Sequence, residues 1–491
     1  MKQRSPKLFL YRYRFIIGYA ALMIVFFGLL IFLPNIAPNG LSQDEMQSVI
    51  DADQIHTSLI SDGAVINLPY LLLQKASISL FGLSLLSIKL PSIIIGVFAA
   101  FFIVLLLNRW FKSDVAIVGS ILTTLSTAFL FLSGHGTPTI MYVFWLAAIL
   151  WLGSKIVGND HTHPLLVISF VLCLALSIYT PQLIYVSIGI GIAGLAHPHL
   201  RYALKQLKLY QLIICFSAFA LAILPLLIAC IFNHSIIRQL LFMEDFSFSN
   251  FINNISAAFA PFFSFSLAYD SIYLAPFFGL ATIVLVIFGI LASMGQLFTS
   301  RNTVISLLTI FAIIISGFNQ SVAISIIIPI AVLSTAGLES VIEKWHSLFP
   351  ENPYAHFLGT TPIVIVVVTI IVSGLMHFVY GYHYTPRVAK NFTNDLTLIQ
   401  NHLEGGTILL INPETDNYDF YKLLENYSSY TVLTELPERI EEAPVAVLGS
   451  TCADERLELK EIITSPKTRN SDRLYIYSKI TTNTTEQEGE E

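Results

Sequence analysis

Apolar stretches close to 20 residues long recur along this chain from Phe15 almost to Tyr380, and few features restrict a fold so tightly. A hydrocarbon core roughly 30 Å thick takes about 20 apolar residues of helix to cross. Inside it every backbone N–H and C=O has to be bonded within the protein. Composition agrees, since 55% of the 491 residues are apolar and 12% are charged, with a mean hydropathy of +0.72. That leaves too little polar surface for a soluble chain of this length. The pattern predicts about 11 spans, at 15–33, 85–107, 115–132, 139–152, 164–178, 183–196, 210–232, 273–297, 304–318, 322–336 and 363–380. Five of them, at 139–152, 164–178, 183–196, 304–318 and 322–336, are short, so one adjacent pair could form a re-entrant hairpin.

Basic residues in short loops set the orientation. Lys2, Arg4, Lys7, Arg12 and Arg14 hold the N-terminus in the cytoplasm, and alternate crossings bring Arg109, Lys112, Lys155, Arg201, Lys205, Lys208, Arg301 and Lys344 to the same side. The loop 34–84 and the C-terminal tail then fall outside. The first apolar stretch is longer than a signal-peptide core and is followed by no small-residue cleavage pattern, so it reads as a retained anchor. Cys173, Cys215 and Cys230 lie in spans and only Cys452 in the tail, which suggests neither a disulfide framework nor a thiolate metal site. No internal repeat points to the inverted halves of a transporter.

From Tyr382 onward the character changes. Ten basic side chains face nineteen acidic ones, a balance of −9 against −6 for the whole chain, which leaves +3 for the apolar part. Periodicity predicts helices at 395–403 and 418–425 and strands at 407–411, 431–433, 444–448 and 474–477, a small soluble α/β domain over 382–480 behind a membrane module over 1–381. The acidic end, 481–491, reads as disordered.

Polar residues that lipid would penalise gather in the first external loop. In Leu41-Ser42-Gln43-Asp44-Glu45-Met46, a serine stands three residues before Glu45, the capping-box spacing. On the helix that follows, Asp44, Gln47 and Asp51 share one face and Met46, Val49 and Ile50 another, as expected of an amphipathic helix lying on the membrane. Residues 65–81, interrupted by Asn67, Pro69, Gln74 and Lys75, suit a second interfacial helix. An acid at a helix start is commonly no more than a solvated end. Asp51-Ala52-Asp53 resembles a metal-binding D-x-D, but so short a pattern is common by chance.

The order of these features resembles the GT-C membrane glycosyltransferases related to the protein O-mannosyltransferases and the aminoarabinose lipid A transferases. A basic start, one span, an external loop opening with an acidic pair, a Pro-containing apolar helix and Lys89-Leu90-Pro91-Ser92 entering the second span carry the likeness. Arg109-Trp110-Phe111 continues it as a short cytoplasmic turn, and Gly134-His135-Gly136-Thr137-Pro138 as the next external turn. It covers about the first 155 residues closely and the rest by topology only.

The resemblance implies a polytopic α-helical fold and a catalytic carboxylate at Asp44, with Glu45 beside it. Such a carboxylate would act as general base on an acceptor attacking the anomeric carbon of a polyprenyl-phosphate sugar. The leaving phosphate needs cations, for which Arg238, Arg387 and Lys89 are the candidates. Asn67 and Tyr70 stand where the family often has a His-Pro-Pro-type segment, and His135 stands where an Arg and an acid are common, so these three are candidate substrate contacts. The expected partners are the lipid-linked donor, membrane lipid and an envelope acceptor, with no nucleic acid and no cofactor, in the cell membrane. Charged residues inside spans would favour a transporter or flippase instead, but little beyond Pro225 and Pro329 interrupts the apolar runs. A non-catalytic scaffold with an acidic external domain is the third reading.

Overall fold

The computed structural model describes residues 9–32, 40–55, 65–157, 163–205, 208–241, 248–263, 277–296, 298–348, 353–403, 405–411, 418–436, 444–448, 454, 456–464 and 473–479. The basic N-terminal residues up to Lys7 and the acidic end 481–491, singled out above, lie outside the described residues.

Helix α1 (Phe9–Phe32) is followed by a two-residue strand β1 (Leu41–Ser42), α2 (Gln43–Gln54) and α3 (Leu68–Phe81). Next come α4 (Leu85–Trp110), α5 (Ser113–Thr124), α6 (Thr127–Gly134), α7 (Ile140–Val157), α8 (Pro164–Ser177), α9 (Leu183–Ala196) and α10 (Pro198–Lys205). The chain continues through α11 (Leu209–Phe232), α12 (His234–Leu241), α13 (Phe248–Phe263), α14 (Leu280–Met294) and α15 (Ser300–Ser316). A 3-10 segment (Gln320–Ile326) runs into α16 (Ile327–Leu348), and α17 (Pro353–Tyr384) closes the apolar part. Then follow α18 (Pro386–Ala389), β2 (Phe392–Thr393), α19 (Asp395–His402), β3 (Ile408–Leu410), α20 (Tyr418–Tyr427), β4 (Thr431–Leu433), β5 (Val445–Leu448), β6 (Leu457–Thr464) and β7 (Arg473–Lys479).

The expected spans overlap apolar helices, although 115–132 is divided between α5 and α6 and 322–336 begins in the 3-10 segment. Among the described residues five helices are long and apolar enough to cross a bilayer, and six if α5 and α6 count as one bent span. Five more, including α8 and α9, are apolar but shorter; 14 residues reach only about 21 Å. The bend between α5 and α6 is 60° and has a local cause. Ser120, Thr123 and Thr124 all turn their hydroxyls back onto carbonyls four residues earlier, which loosens a helix end. Ser126 then caps α6 through Phe129 N. Glycine sets how closely helices approach, as is usual where lipid supplies no hydrophobic drive. A Cβ on Gly289 of α14 would fall 1.9 Å from the Leu333 carbonyl oxygen of α16, and one on Gly337 of α16 would fall 1.9 Å from that of Leu285 on α14. Two further helices, α12 and α13, lie between the apolar helices α11 and α14.

Beyond α17 the chain forms a five-stranded mixed sheet in the order β4-β3-β5-β7-β6. Strand β3 runs parallel to β4 and β5, with Ile408 opposite Thr431 and Val445, and β7 is antiparallel to both β5 and β6. The predicted elements of this region recur within a few residues, while β6, an edge strand, was not foreseen. Its packing differs from a free-standing soluble unit. Ile399, Leu409, Phe420 and Leu474 share one apolar cluster with Leu41, Met46 and Val49 and with Ile78, Leu83 and Ile88. Strand β1 pairs with β2, Leu41 opposite Thr393, and Gln400 Nε2 donates to the Leu83 carbonyl. The apolar face of α2 is therefore covered by protein from the far end of the chain, not by a membrane surface.

Candidate active site

The start of α2 is fixed by the capping box its sequence suggests. Glu45 N donates to Ser42 Oγ at 3.2 Å, and Ser42 N donates to Glu45 Oε2 at 2.8 Å. The second Glu45 oxygen accepts from Gly136 N at 2.6 Å and lies 3.8 Å from Lys89 Nζ. Both side chains of that pair are 0% exposed. Burial by itself would push the Glu45 carboxyl up; the Lys89 ammonium and the N–H bonds from Gly136 and Ser42 outweigh it and hold the group below the usual carboxylate range. Glu45 is thus an ionised anchor joining three segments. It is walled off from any substrate, as is Lys89, whose Nζ donates to Gly40 O at 2.9 Å. The expectation of a catalytic Glu45 and a phosphate-binding Lys89 gives way to a buried ion pair.

Asp44, one residue earlier and about 100° around the helix, is exposed. It borders a cavity of about 540 Å³ together with Gln47 and Asp51 from its own face of α2. Across the cavity stand Asn67, His135, Thr137, Gln239 and Ser321. Asp51 is half-buried, which pushes its carboxyl up against the opposing bond from Gln47 Nε2 at 2.8 Å. Residues two apart on a helix point about 200° from each other, so Asp51 and Asp53 do not converge as a D-x-D would require. Among the described residues no cluster of three or more His, Cys, Asp or Glu is placed to hold a metal ion.

His135 joins the anchor to the cavity. Its Nε2 is 2.9 Å from Ser42 Oγ, its Nδ1 2.9 Å from Thr137 Oγ1, and its ring stacks on Phe131 at 4.8 Å. Burial holds the ring below its ordinary range despite the pull of Glu45, so it is neutral at pH 7. Asn67 sits in the left-handed region, φ 56°, with its N–H on Tyr179 O at 2.8 Å. Asparagine tolerates that conformation better than most residues. Its buried Oδ1 has no bond partner among the described residues. Tyr70 is not brought to the site; it is fully buried, with its hydroxyl 2.8 Å from Ser92 Oγ, and locks α3 to α4. Arg238 is exposed on α12 next to the lining residue Gln239, and Arg387 is exposed on α18 outside the lining. No Lys or Arg lines the cavity among the described residues.

Other residues escaped the sequence reading. Buried Gln74 accepts from Ser48 Oγ at 2.7 Å and donates to Ile88 O and Gly136 O at 3.3 and 3.2 Å. Gly136 is therefore gripped at both its N–H and its carbonyl, and a Cβ there would sit 3.0 Å from Ile88 O. Gln182, also left-handed, donates from Nε2 to Gln239 O at 3.0 Å and is bonded by Asn319. Together they tie α12 to the 3-10 segment across the cavity rim. Polar residues flanked by apolar runs were the available signal.

A family model described as dolichyl-phosphate-mannose-protein mannosyltransferase matches residues 68–232, a region that begins just after α2. No curated protein matches the chain by sequence. Among solved structures, ArnT from Cupriavidus metallidurans in the apo state aligns over 94% of this chain and 98% of its own, with a TM-score of 0.51 and 10% identity. The Archaeoglobus fulgidus oligosaccharyltransferase tethered to an acceptor peptide aligns over 86% of this chain and 64% of its own, with a TM-score of 0.53 and 12% identity. Those alignments, with apolar helices in the expected places and a serine-capped helix carrying two acids after the first, show that this chain has the fold of the GT-C membrane glycosyltransferases.

Proposed function

We propose that this protein is a membrane glycosyltransferase that moves a sugar from a polyprenyl-phosphate donor to an acceptor in the cell envelope, a lipid, glycan or protein. One observation carries the reading: Asp44 is an exposed carboxylate at the mouth of a polar cavity, on a helix start that Glu45 holds fixed. The family model that matches 68–232 names a lipid-phosphate sugar donor and agrees with it.

Asp44 takes the proton of the acceptor hydroxyl or amine as that group attacks the anomeric carbon. The bond from the anomeric carbon to the phosphate oxygen breaks, its electron pair leaves with the polyprenyl phosphate, and a single displacement inverts the anomeric centre. Asn67, Thr137 and His135 offer hydrogen-bonding groups to the sugar or acceptor. Since no Lys or Arg lines the cavity among the described residues, the phosphate sits toward the rim, on the side of Arg238, with Arg387 the alternative. If the chain crosses eleven times from a cytoplasmic N-terminus, this cavity and the C-terminal α/β domain lie on the extracytoplasmic side, where the domain supports α2 and contributes to acceptor recognition.

The test is transfer from a panel of radiolabelled polyprenyl-phosphate sugars to envelope extracts, comparing the unmodified protein with Asp44→Asn at equal expression. Transfer that disappears in the variant supports both the reaction class and the base. Transfer that persists in the variant removes Asp44 from the chemistry, and no transfer from any donor refutes the reaction class.

A further inference from the structure

A second cavity, also about 540 Å³, lies between the apolar helices at the other end of α4. Lys89, beside the candidate active site, and Arg109, on this second cavity, are 20 residues apart in one helix. At 1.5 Å per residue that is about 30 Å, the thickness of a hydrocarbon core, so the two cavities open toward opposite membrane boundaries. The walls are apolar, built by Ile149, Phe170, Leu174 and Ile190 among others. Glycines keep the space open. A Cβ on Gly191 would meet nothing within 4 Å, and one on Gly153 would just touch Phe170 at 3.4 Å.

One end is cationic. Arg109, Arg301 and His199 border the cavity, and no acidic residue does so among the described residues. Arg109 is exposed. Arg301 uses Nη1 on Trp110 O at 3.2 Å and Nε on Asn302 Oδ1 at 3.3 Å, with its guanidinium over the Phe111 ring at 4.8 Å. Those contacts fix its plane and leave Nη2 to donate. Glu339, near Arg301, also feels Lys112 and does not line the cavity. An apolar slot between helices, ending in two guanidiniums at a membrane boundary, matches an amphiphile with an anionic phosphate head.

We propose that this cavity is a binding site for an anionic phospholipid of the leaflet opposite the active site, its acyl chain along Phe170 and Leu174 and its phosphate between Arg109 and Arg301. The test is native mass spectrometry of the delipidated full-length protein with phosphatidylglycerol, phosphatidylcholine of the same chains, or polyprenyl phosphate. Phosphatidylglycerol is expected to bind about tenfold more tightly than phosphatidylcholine. Arg109→Ala should remove most of that preference, and Gly191→Phe should fill the slot and abolish binding of both. Arg109 is exposed, so its variant carries the test should Gly191→Phe fail to fold. Equal binding of the two phospholipids, or an undiminished preference in Arg109→Ala, overturns the proposal. Displacement of phosphatidylglycerol by equimolar polyprenyl phosphate overturns it too, in favour of a carrier site.

Discussion

Replacing Glu45 by Gln keeps the shape of the anchor and removes its charge, which makes it the sharpest probe of how α2 is held. Two losses follow. Lys89, 0% exposed and 3.8 Å from Glu45 Oε1, loses its counter-charge. Breaking a buried pair from one side costs roughly 3–5 kcal/mol, in line with about 4 kcal/mol from Coulomb's law at that distance and an effective dielectric of about 20. The amide can accept from Ser42 N or Gly136 N but presents an NH₂ to the other, orphaning one buried donor at a cost of about 1–3 kcal/mol. The two losses fall on one coupled site and do not simply add, so the combined loss should settle near 4–6 kcal/mol. Thermal unfolding in detergent at pH 7.5 should register it as a fall of about 8–12 °C, taking about 2 °C per kcal/mol for a large chain.

A second substitution separates charge from hydrogen bonding. Adding Lys89→Met removes the stranded ammonium and should recover more than half of the fall, since replacing both members of a buried pair is often nearly neutral. The pH dependence has a definite sign. Glu45 is held below its usual range, so its contribution is complete above the ordinary value of about 4.3 and disappears as the pH falls through the folded value. The gap between the unmodified protein and Glu45→Gln should therefore close toward acid. An unfolding temperature unchanged in Glu45→Gln, or a double variant no better than the single one, would refute the claim that this ion pair anchors the site.

Three further outcomes are expected. His135 stays neutral because burial lowers its pKa; its contribution is complete above about 6.5 and is lost as the pH falls from there, so an unfolding curve taken from pH 7 to 5 should be flatter in His135→Gln than in the unmodified protein. Gly40 has φ +110°, and a Cβ there would meet Thr393 O at 2.3 Å, so Gly40→Ala should open the β1–β2 pairing and cost at least about 1–3 kcal/mol, read as a lower unfolding temperature and faster proteolysis at β1 and β2. Gly289→Ala drives a methyl into the Leu333 carbonyl and should force α14 and α16 apart, destabilising by about 1–3 kcal/mol, whereas the same change at Gly191, where a Cβ meets nothing, should be nearly neutral to stability.

What could be read from the sequence follows the range of the interactions involved. The Ser42–Glu45 box is an i, i+3 contact, and the face carrying Asp44, Gln47 and Asp51 is a helical periodicity; both are local, and the structure realises both. The partner of the opposite face was misjudged because it lies more than 300 residues away, in Leu396, Ile399 and Phe420, which no window around α2 can contain. Lys89 shows the same limit. In sequence it is a lysine at the edge of a span, the usual place for a cation that reaches toward lipid or phosphate. Only the return of Gly40 and Glu45 onto α4 turns it inward. Strand β6 is a different failure, since three charges interrupt its apolar residues and its edge position leaves five consecutive residues exposed.

On the proposed function, two adjacent acids at the start of α2 take separate jobs because a helix places them about 100° apart. A base in direct displacement has to be exposed and yet fixed, and those demands conflict at the first turn of a short helix, where four N–H groups lack intrahelical partners and ends fray. One carboxylate cannot meet both, because the bonds that immobilise it would also cover it. Glu45 accepts the immobilising bonds, from the cap, from Gly136 and beside Lys89, and Asp44 is left open at the cavity with its backbone held by its neighbour. The arrangement also explains why an ion pair is buried there at all. Such a pair adds little net stability over apolar packing, but it joins α2, α4 and the turn before α7 at a single point, and that geometry is what the proposed base at Asp44 would require.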